Sequence, residues 1–448
     1  MPANKSDQKK GKKMQTIDTL IHARWVVPVV PRNQILENHS VAIRNEKIID
    51  ILPTDLASQQ YSAKKTVDCK THVVMPGLIN THAHTPMNLL RGLADDLQLM
   101  DWLQNHIWPA EGKLLTPESI YDGSLFAIIE MLRGGTTCFN DHYFYPNDTA
   151  RAAIDAGMRA CVGLWVGNAP TGWAKDADEC LEKAEIEYQN RPRNDLITYA
   201  LAPHSPYITN NDSLLKTKAF AEKYNLPIHI HLHETQHEIN IDMDTYGERP
   251  LSRFNKLGLL NEKLIAVHMV HLTDEEITLC AEKKVHVSHN PESNLKLASG
   301  FAPIAKMLDA GVNVCLGTDG AASNNDLDMF GELRTAALVA KGVSQNPTVF
   351  DAMTALEIAT INGAKALGLA DKIGSLEVGK YADVIAINLD HFFTQPVFNP
   401  ISHLVYAMNR LQVSDVFVAG KHLLHQGEFT QLEVKSIVAK ANKWADTV

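Results

Sequence analysis

Residues 227–235 read PIHIHLHET, and the periodicity of this stretch decides the fold. His229, His231 and His233 share one parity while Ile230, Leu232 and Glu234 take the other. A period of two is that of a β-strand, whose successive side chains point to opposite faces. The same letters contain His233-Glu234-Thr235-Gln236-His237, the HExxH spacing of zinc peptidases, but that pattern needs a helix to bring its two histidines onto one face. Strand entry splits them, so the peptidase reading is set aside. Three histidines on one strand face mark a functional surface, although spacing does not choose among them.

Outward from this strand, short β runs alternate with amphipathic helical stretches from Gly77 onward, the texture of parallel strands joined by crossover helices. Eight strands are expected, near residues 74–84, 136–142, 159–166, 196–204, 227–234, 264–271, 284–289 and 313–319. Eight units over about 290 residues fit a (β/α)8 TIM-type barrel. A doubly wound open sheet would concentrate its polar strand ends at one switch point, whereas here they are spread along the whole segment. The flanking pieces are β-rich and each too short to hold a core. They are expected to join, so that 14–75 and 373–448 form a small β-sandwich domain, 76–372 the catalytic barrel, and 1–13 a disordered tail.

The 448 residues carry 42 Lys and Arg against 52 Asp and Glu, a net charge of −10. That balance argues against nucleic-acid or anionic-membrane partners, which need a basic face to displace counterions. No apolar run approaches the roughly 20 residues of a membrane span, and the polar N-terminus lacks the apolar core of a secretory signal. Six cysteines lie far apart with no CxxC, which suits reduced thiols in the cytoplasm. The 20 histidines stand out, because many sit in tight groups.

The first barrel strand ends Thr81-His82-Ala83-His84, so His82 and His84 can both face the barrel mouth at a spacing that suits two imidazoles on one metal. The sixth carries His268 and His271, and the eighth ends Leu316-Gly317-Thr318-Asp319-Gly320. In a closed barrel strands one and eight are neighbours, which brings Asp319 beside the HxH pair. Two imidazoles, one histidine of the fifth strand and Asp319 then form a zinc-type ligand set with room for water.

The motifs PGLINTHAHTPMNLLRGLADDLQLMDWLQNHIWPAE, ALAPHSPY, HIHLHET, VHMVHL, VSHNPESNLKLASG, LGTDGAASNNDLDM and NGAKALGLADKIGSLEVGKYADVIAIN together resemble the amidohydrolase superfamily. Within it they look like the 5′-methylthioadenosine/S-adenosylhomocysteine deaminases, from about Ile17 to the last strands. The resemblance implies a zinc-dependent aminohydrolase that converts an adenine nucleoside to its inosine-type product. It implies His82, His84, His231 and Asp319 as metal ligands, Glu234 and His268 as the proton-handling pair, and Glu111 and His204 as substrate contacts. Asp319 would also act as the base on the attacking water, and both Glu234 and Asp319 would touch substrate. Strand four ends Ala202-Pro203-His204 where two-metal relatives carry a carboxylated lysine, so a single divalent ion, Zn2+, is expected. Family members commonly form dimers or tetramers, and a homo-oligomer is expected. The alternative is a related enzyme acting on a guanine, pterin or triazine ring.

Three further expectations concern neighbours of this set. Glu111, after Trp108-Pro109, is read as a loop carboxylate that bridges two ribose hydroxyls. His229 is expected deeper than the mouth, His233 beyond it and His271 on the opposite face from His268, all three as support. Between Arg159 and Arg191 the only Lys or Arg residues are Lys175 and Lys183, while Trp165 and Trp173 suit an apolar thioether. Methylthioadenosine is therefore expected over S-adenosylhomocysteine.

Overall fold

The computed structural model describes residues 14–448, and the tail expected at 1–13 lies outside the described residues. The chain opens with four strands, β1 (Gln15–Val26), β2 (Leu36–Arg44), β3 (Lys47–Pro53) and β4 (Tyr61–Pro76). Eight barrel strands follow: β5 (Leu78–Ala83), β6 (Thr136–Asp141), β7 (Arg159–Val166), β8 (Ile197–Pro203), β9 (Ile228–Leu232), β10 (Leu264–His268), β11 (His286–His289) and β12 (Asn313–Leu316). Four more, β13 (Val384–Asn388), β14 (Val413–Val418), β15 (Lys421–His425) and β16 (Glu428–Phe429), return to the first group.

β5 to β12 pair in chain order, each parallel to the next. The ends meet through a parallel bridge between Ala83 and Asp319, and the Thr318 and Asp319 amides both donate to the His82 carbonyl, at 3.1 and 3.0 Å. The barrel reading holds, with strands shorter than expected at their C-terminal ends. β10 stops at His268 instead of His271 because His268 and Met269 turn left-handed, at φ 73° and 50°. A left-handed residue cannot continue a strand.

The second sheet has the order β16-β15-β14-β13-β4-β1-β2-β3, so strands from both chain ends interleave. It bends on itself: beside β3, at one edge, the Ile48 amide reaches the Lys380 carbonyl just ahead of β13 at 3.0 Å. Ile21, Val41, Ile48, Val74, Val384 and Phe417 pack together inside this curve. The C-terminal stretch is not wholly β. Its last helix, Val434–Ala445, packs on the barrel, where Lys440 Nζ and Trp444 Nε1 each donate to the Asp122 carboxylate at 3.0 Å.

Sheet and barrel are locked by one buried ion pair. Arg159 at the start of β7 makes a two-pronged contact with Asp383, Nε to Oδ2 at 2.9 Å and a guanidinium nitrogen to Oδ1 at 3.1 Å. Among the described residues no helix is long and apolar enough to cross a membrane.

Candidate active site

The C-terminal ends of the barrel strands enclose a cavity of about 300 Å³. His82 and His84, at the end of β5, reach it with Asp319, which follows β12, and His231 of β9. His82 Nε2 and His84 Nε2 lie 3.1 and 3.2 Å from Asp319 Oδ1, and His84 Nε2 lies 3.2 Å from His231 Nε2. All four side chains are buried. Gly317 permits this closure, because a Cβ there would sit 2.9 Å from the His82 backbone nitrogen.

The hydrogen-bond network tests whether the set fits a metal. His84 Nδ1 donates to the His142 carbonyl at 2.7 Å, and His231 Nδ1 donates to the His204 carbonyl at 2.6 Å. In the neutral form of each ring, the form a metal ligand takes, the other nitrogen is then a bare lone pair. Two lone pairs face each other at 3.2 Å beside a carboxylate, an arrangement that repels itself and that a cation between them relieves. Donors about 2.0–2.1 Å from a tetrahedral zinc lie about 3.3 Å apart, close to the spacings found. The second contacts of His84 and His231 are the outer hydrogen bonds that fix such ligands. The donor set fits a divalent ion of the zinc type.

The electrostatics of Asp319, His82 and His231 agree with this assignment. For His84, burial pushes the ring down, but the Asp319 carboxylate outweighs burial and holds it above its ordinary value, a role a bound cation would take over. Burial pushes the Asp319 carboxyl up, but its contacts with His82 and His84 outweigh burial and hold it well below the ordinary range. Its other oxygen accepts from Ser293 Oγ at 2.6 Å and Ser323 Oγ at 2.9 Å. Burial pushes His82 down to about 3 and His231 well below its usual value, so both rings are neutral, as ligands must be. Asp319 adopts φ 62°, a left-handed strain of about 1–3 kcal/mol for a non-glycine residue.

Glu234, just past β9, faces His268 at the end of β10, with Oε2 4.0 Å from Nε2. Asn294 Oδ1 lies 2.8 Å from His268 Nδ1 and accepts from it, which leaves Nε2 facing the cavity. Burial raises the Glu234 carboxyl above its ordinary value. Glu111 lies in a helix, Trp108–Leu114, and not in the expected loop. The alternating pattern that identifies strands carries no signal for this helix, which continues a π-helical turn, Trp102–Ile107. Glu111 accepts from Tyr143 OH at 2.5 Å, and burial pushes its carboxyl up to about 7. His204, after β8, lines the same cavity.

His229 and His233 lie as expected, while His271 lies past the end of β10, where strand parity does not place it. His229 Nε2 meets His82 Nδ1 at 2.9 Å beneath the mouth. His233 leaves the cavity at φ 54° and accepts from the Leu251 amide at 3.1 Å, while His271 Nε2 bonds the Ser299 carbonyl at 2.8 Å. His237 is exposed at the start of the helix Gln236–Tyr246, so the HExxH letters form no metal site. Trp165 lines the cavity. Trp173 does not: its ring packs on Tyr145 with centroids 4.6 Å apart.

One site residue escaped the sequence reading, and a second, His142, is legible there only as a strand-end histidine able to shape the pocket. Glu238 accepts from the His233 and Glu234 amides at 2.6 and 3.1 Å, so it holds the turn that aims Glu234. Thr235-Gln-His-Glu238 has the letters of a capping box and was the available signal. His142 is buried against the cavity between His84 and His231, and neither ring nitrogen has a partner. No spacing rule marks it, because the strand end it shares with Asn140 and Asp141 is simply polar.

Comparison with known proteins identifies the family. A family model described as "Amidohydrolase family" matches residues 73–423. The 5-methylthioadenosine/S-adenosylhomocysteine deaminase of Saccharophagus degradans is 44% identical over 427 residues, 95% of this chain and 96% of that one. The 5′-deoxyadenosine deaminase of Methanocaldococcus jannaschii is 43% identical over 410 residues, 91% of this chain and 96% of its own. A solved structure of an adenosine deaminase from Xanthomonas campestris with bound zinc superposes with a TM-score of 0.95 at 47% identity, covering 97% of this chain and 99% of that chain.

Proposed function

The chain belongs to the amidohydrolase family, and from that membership we propose that it is a metal-dependent aminohydrolase that deaminates the adenine ring of a 5′-substituted adenosine, 5′-methylthioadenosine foremost. One observation carries the reading: two imidazole lone pairs converge with Asp319 in a cavity that also holds Glu234 and Glu111. The names and zinc content of the relatives supply the substrate ring and the metal. His82, His84, His231 and Asp319 would hold one divalent ion, zinc by its donor chemistry. Bound there, such an ion makes hydroxide available at neutral pH by lowering the pKa of water toward about 7.

The chain's own groups move the protons. Asp319 accepts the proton released as water attacks C6 of the ring. Glu234, its carboxyl raised by burial, delivers a proton to N1, which makes the adjacent C6 electrophilic. His268 Nε2, oriented by Asn294, hydrogen bonds the attacking oxygen and steadies the tetrahedral centre. Asp319 passes its proton to the departing amino group, the C6 hydroxyl proton returns to Glu234, and collapse expels ammonia and leaves a hypoxanthine nucleoside. Glu111 bridges the ribose hydroxyls, a vicinal pair suited to a two-oxygen acceptor, and His204 adds a further contact. A guanine, pterin or triazine ring would make no use of that acceptor.

The 5′ end favours an apolar substituent. Leu99, Trp102, Leu103, Leu115, Phe144 and Trp165 line the cavity, and among the described residues no Lys or Arg lines it. The Lys183 ammonium is committed elsewhere, to the Trp173 carbonyl and Glu179, and Lys175 is exposed. A homocysteine carboxylate buried there without a counter-ion costs several kcal/mol, whereas a methylthio group costs nothing of the kind. In the same reading 76–372 is the catalytic unit, 14–75 with 373–448 a domain that buttresses it, and the protein a cytoplasmic homo-oligomer, a dimer or tetramer. Six buried cysteines with no disulfide suit a reducing compartment.

The test is kcat/KM by loss of adenine absorbance on zinc-loaded protein. Methylthioadenosine and 5′-deoxyadenosine are expected to exceed S-adenosylhomocysteine by at least about tenfold, the equivalent of one unpaired buried charge only partly relieved. Equal rates for all three would overturn the tail assignment. Turnover of guanine or a chlorotriazine alone would overturn the ring assignment.

A further inference from the structure

Away from the barrel mouth, the small sheet gathers a second set of metal-ligating side chains. Asp415 on β14 stands at its centre, with Oδ1 2.9 Å from His422 Nε2 and 2.8 Å from His425 Nδ1. Cys69 Sγ and a ring nitrogen of His72, both from β4, lie within 4.8 Å of that carboxylate and of each other. Cys69 and Asp415 are buried.

Strand parity opposes this gathering. Cys69 and His72 are three residues apart, as are His422 and His425, so in regular strands each pair would straddle the sheet. Three irregularities undo that. β4 has two more residues than β1 between the pairs Ala23–Cys69 and Trp25–Val73. β15 has one more than β14 between Val416–Leu424 and Phe417–His422, and Ser414 is the extra residue of β14 between Ala386–Asp415 and Ile387–Val413. A bulge sacrifices ladder pairing and re-aims a side chain. Here three of them turn four side chains toward one carboxylate.

We propose that Asp415, His422 and His425 bind one divalent cation of the zinc type, with water completing the coordination and Cys69 and His72 flanking the carboxylate. Two imidazoles and a carboxylate are a zinc donor set. Burial pushes the Asp415 carboxyl up, but the two imidazoles outweigh it and keep it ionised, as a ligand must be. Tetrahedral ligands lie about 3.3 Å apart, so the rings withdraw by about half an ångström on binding. The His425 side chain, 42% exposed, has the freedom to do so and opens the route for the ion. Lys65 Nζ faces His422 Nδ1 at 2.6 Å, and this exposed ammonium turns to solvent when that nitrogen carries the proton. Without a cation the cluster is a hydrogen-bonded Asp–His–His network, and counting metal separates the two.

The experiment uses the full-length protein, saturated with zinc, dialysed and assayed by plasma mass spectrometry. Two equivalents per chain are expected, and His422→Ala/His425→Ala should retain one while kcat on methylthioadenosine stays within about twofold. Asp319→Asn should lose the other equivalent, which keeps failure of this site distinct from failure of the catalytic assignment. One equivalent in the parent, or two in the double variant, would overturn the proposal. Should the double variant not fold, His425→Gln at the exposed ring is read instead by zinc titration. At least about tenfold weaker binding of the second equivalent supports the site, and unchanged binding refutes it.

Discussion

The Asp319 amide donates to the His82 carbonyl at 3.0 Å beside the Thr318 amide at 3.1 Å, and this junction, where the last barrel strand returns to the first, joins the carboxylate to the histidine pair. Neither residue has a sequence neighbour that could supply the other, since they lie at opposite ends of the barrel. Closure of the sheet therefore assembles the candidate metal centre. The predictions below follow from that assembly and from the buried groups around it.

Asp319→Asn keeps the shape of the side chain and removes its charge and basicity. Turnover should fall by at least about a thousandfold, because ligand and base are lost together. Bound metal should fall with it, while circular dichroism stays that of the parent. A variant that retains near-normal kcat would remove Asp319 from the mechanism.

Glu234→Gln should lower kcat on methylthioadenosine by on the order of a hundredfold or more, the usual worth of a positioned proton donor. KM should change little. An effect confined to KM would make Glu234 a binding group. Glu238→Gln, which weakens the bonds to the His233 and Glu234 amides, should lower kcat less, with metal content unchanged.

Glu111 yields a pH dependence whose sign can be worked out. Burial lifts its carboxyl to about 7, so it is ionised above that pH and protonated below it. Only the ionised form offers two acceptors to the ribose hydroxyls. The KM for methylthioadenosine should therefore rise as pH falls from 8 through about 7 to 6, and Glu111→Gln should abolish that rise. A KM profile identical in parent and variant would exclude Glu111 as the titrating contact.

Arg159 and Asp383 are each about 2–3% exposed and tie β7 to the small sheet. Arg159→Met leaves a buried carboxylate without its cation and should cost about 3–5 kcal/mol in urea unfolding. Arg159→Met with Asp383→Leu removes both charges and should recover much of that loss. Equal destabilisation of single and double variants would show that packing, and not charge, dominates the contact.

Much of this molecule was legible because strand parity is local. The alternation in PIHIHLHET separated strand from peptidase helix, and the order of β runs and helical stretches announced a barrel. The positions of His82, His84 and Asp319 at strand ends then followed from the architecture, whereas His231 was singled out among the three histidines of its strand only by the family resemblance. Residues whose roles depend on broken periodicity were not legible. Glu111 lies in an irregular α–π–α run, Trp173 turns to Tyr145 and away from the cavity, and Glu238 acts through backbone amides that no spacing rule names.

The sequence by itself determined which donors exist and which strand ends carry them, because period and chain order are properties of letters alone. Only the tertiary structure decided that His84 and His231 turn bare lone pairs toward each other, since their tautomers are set by the carbonyls of His142 and His204. It also decided that Cys69, His72, His422 and His425 converge on Asp415. Residues three apart in a strand diverge by default, and bulges made by pairing with other strands reversed that.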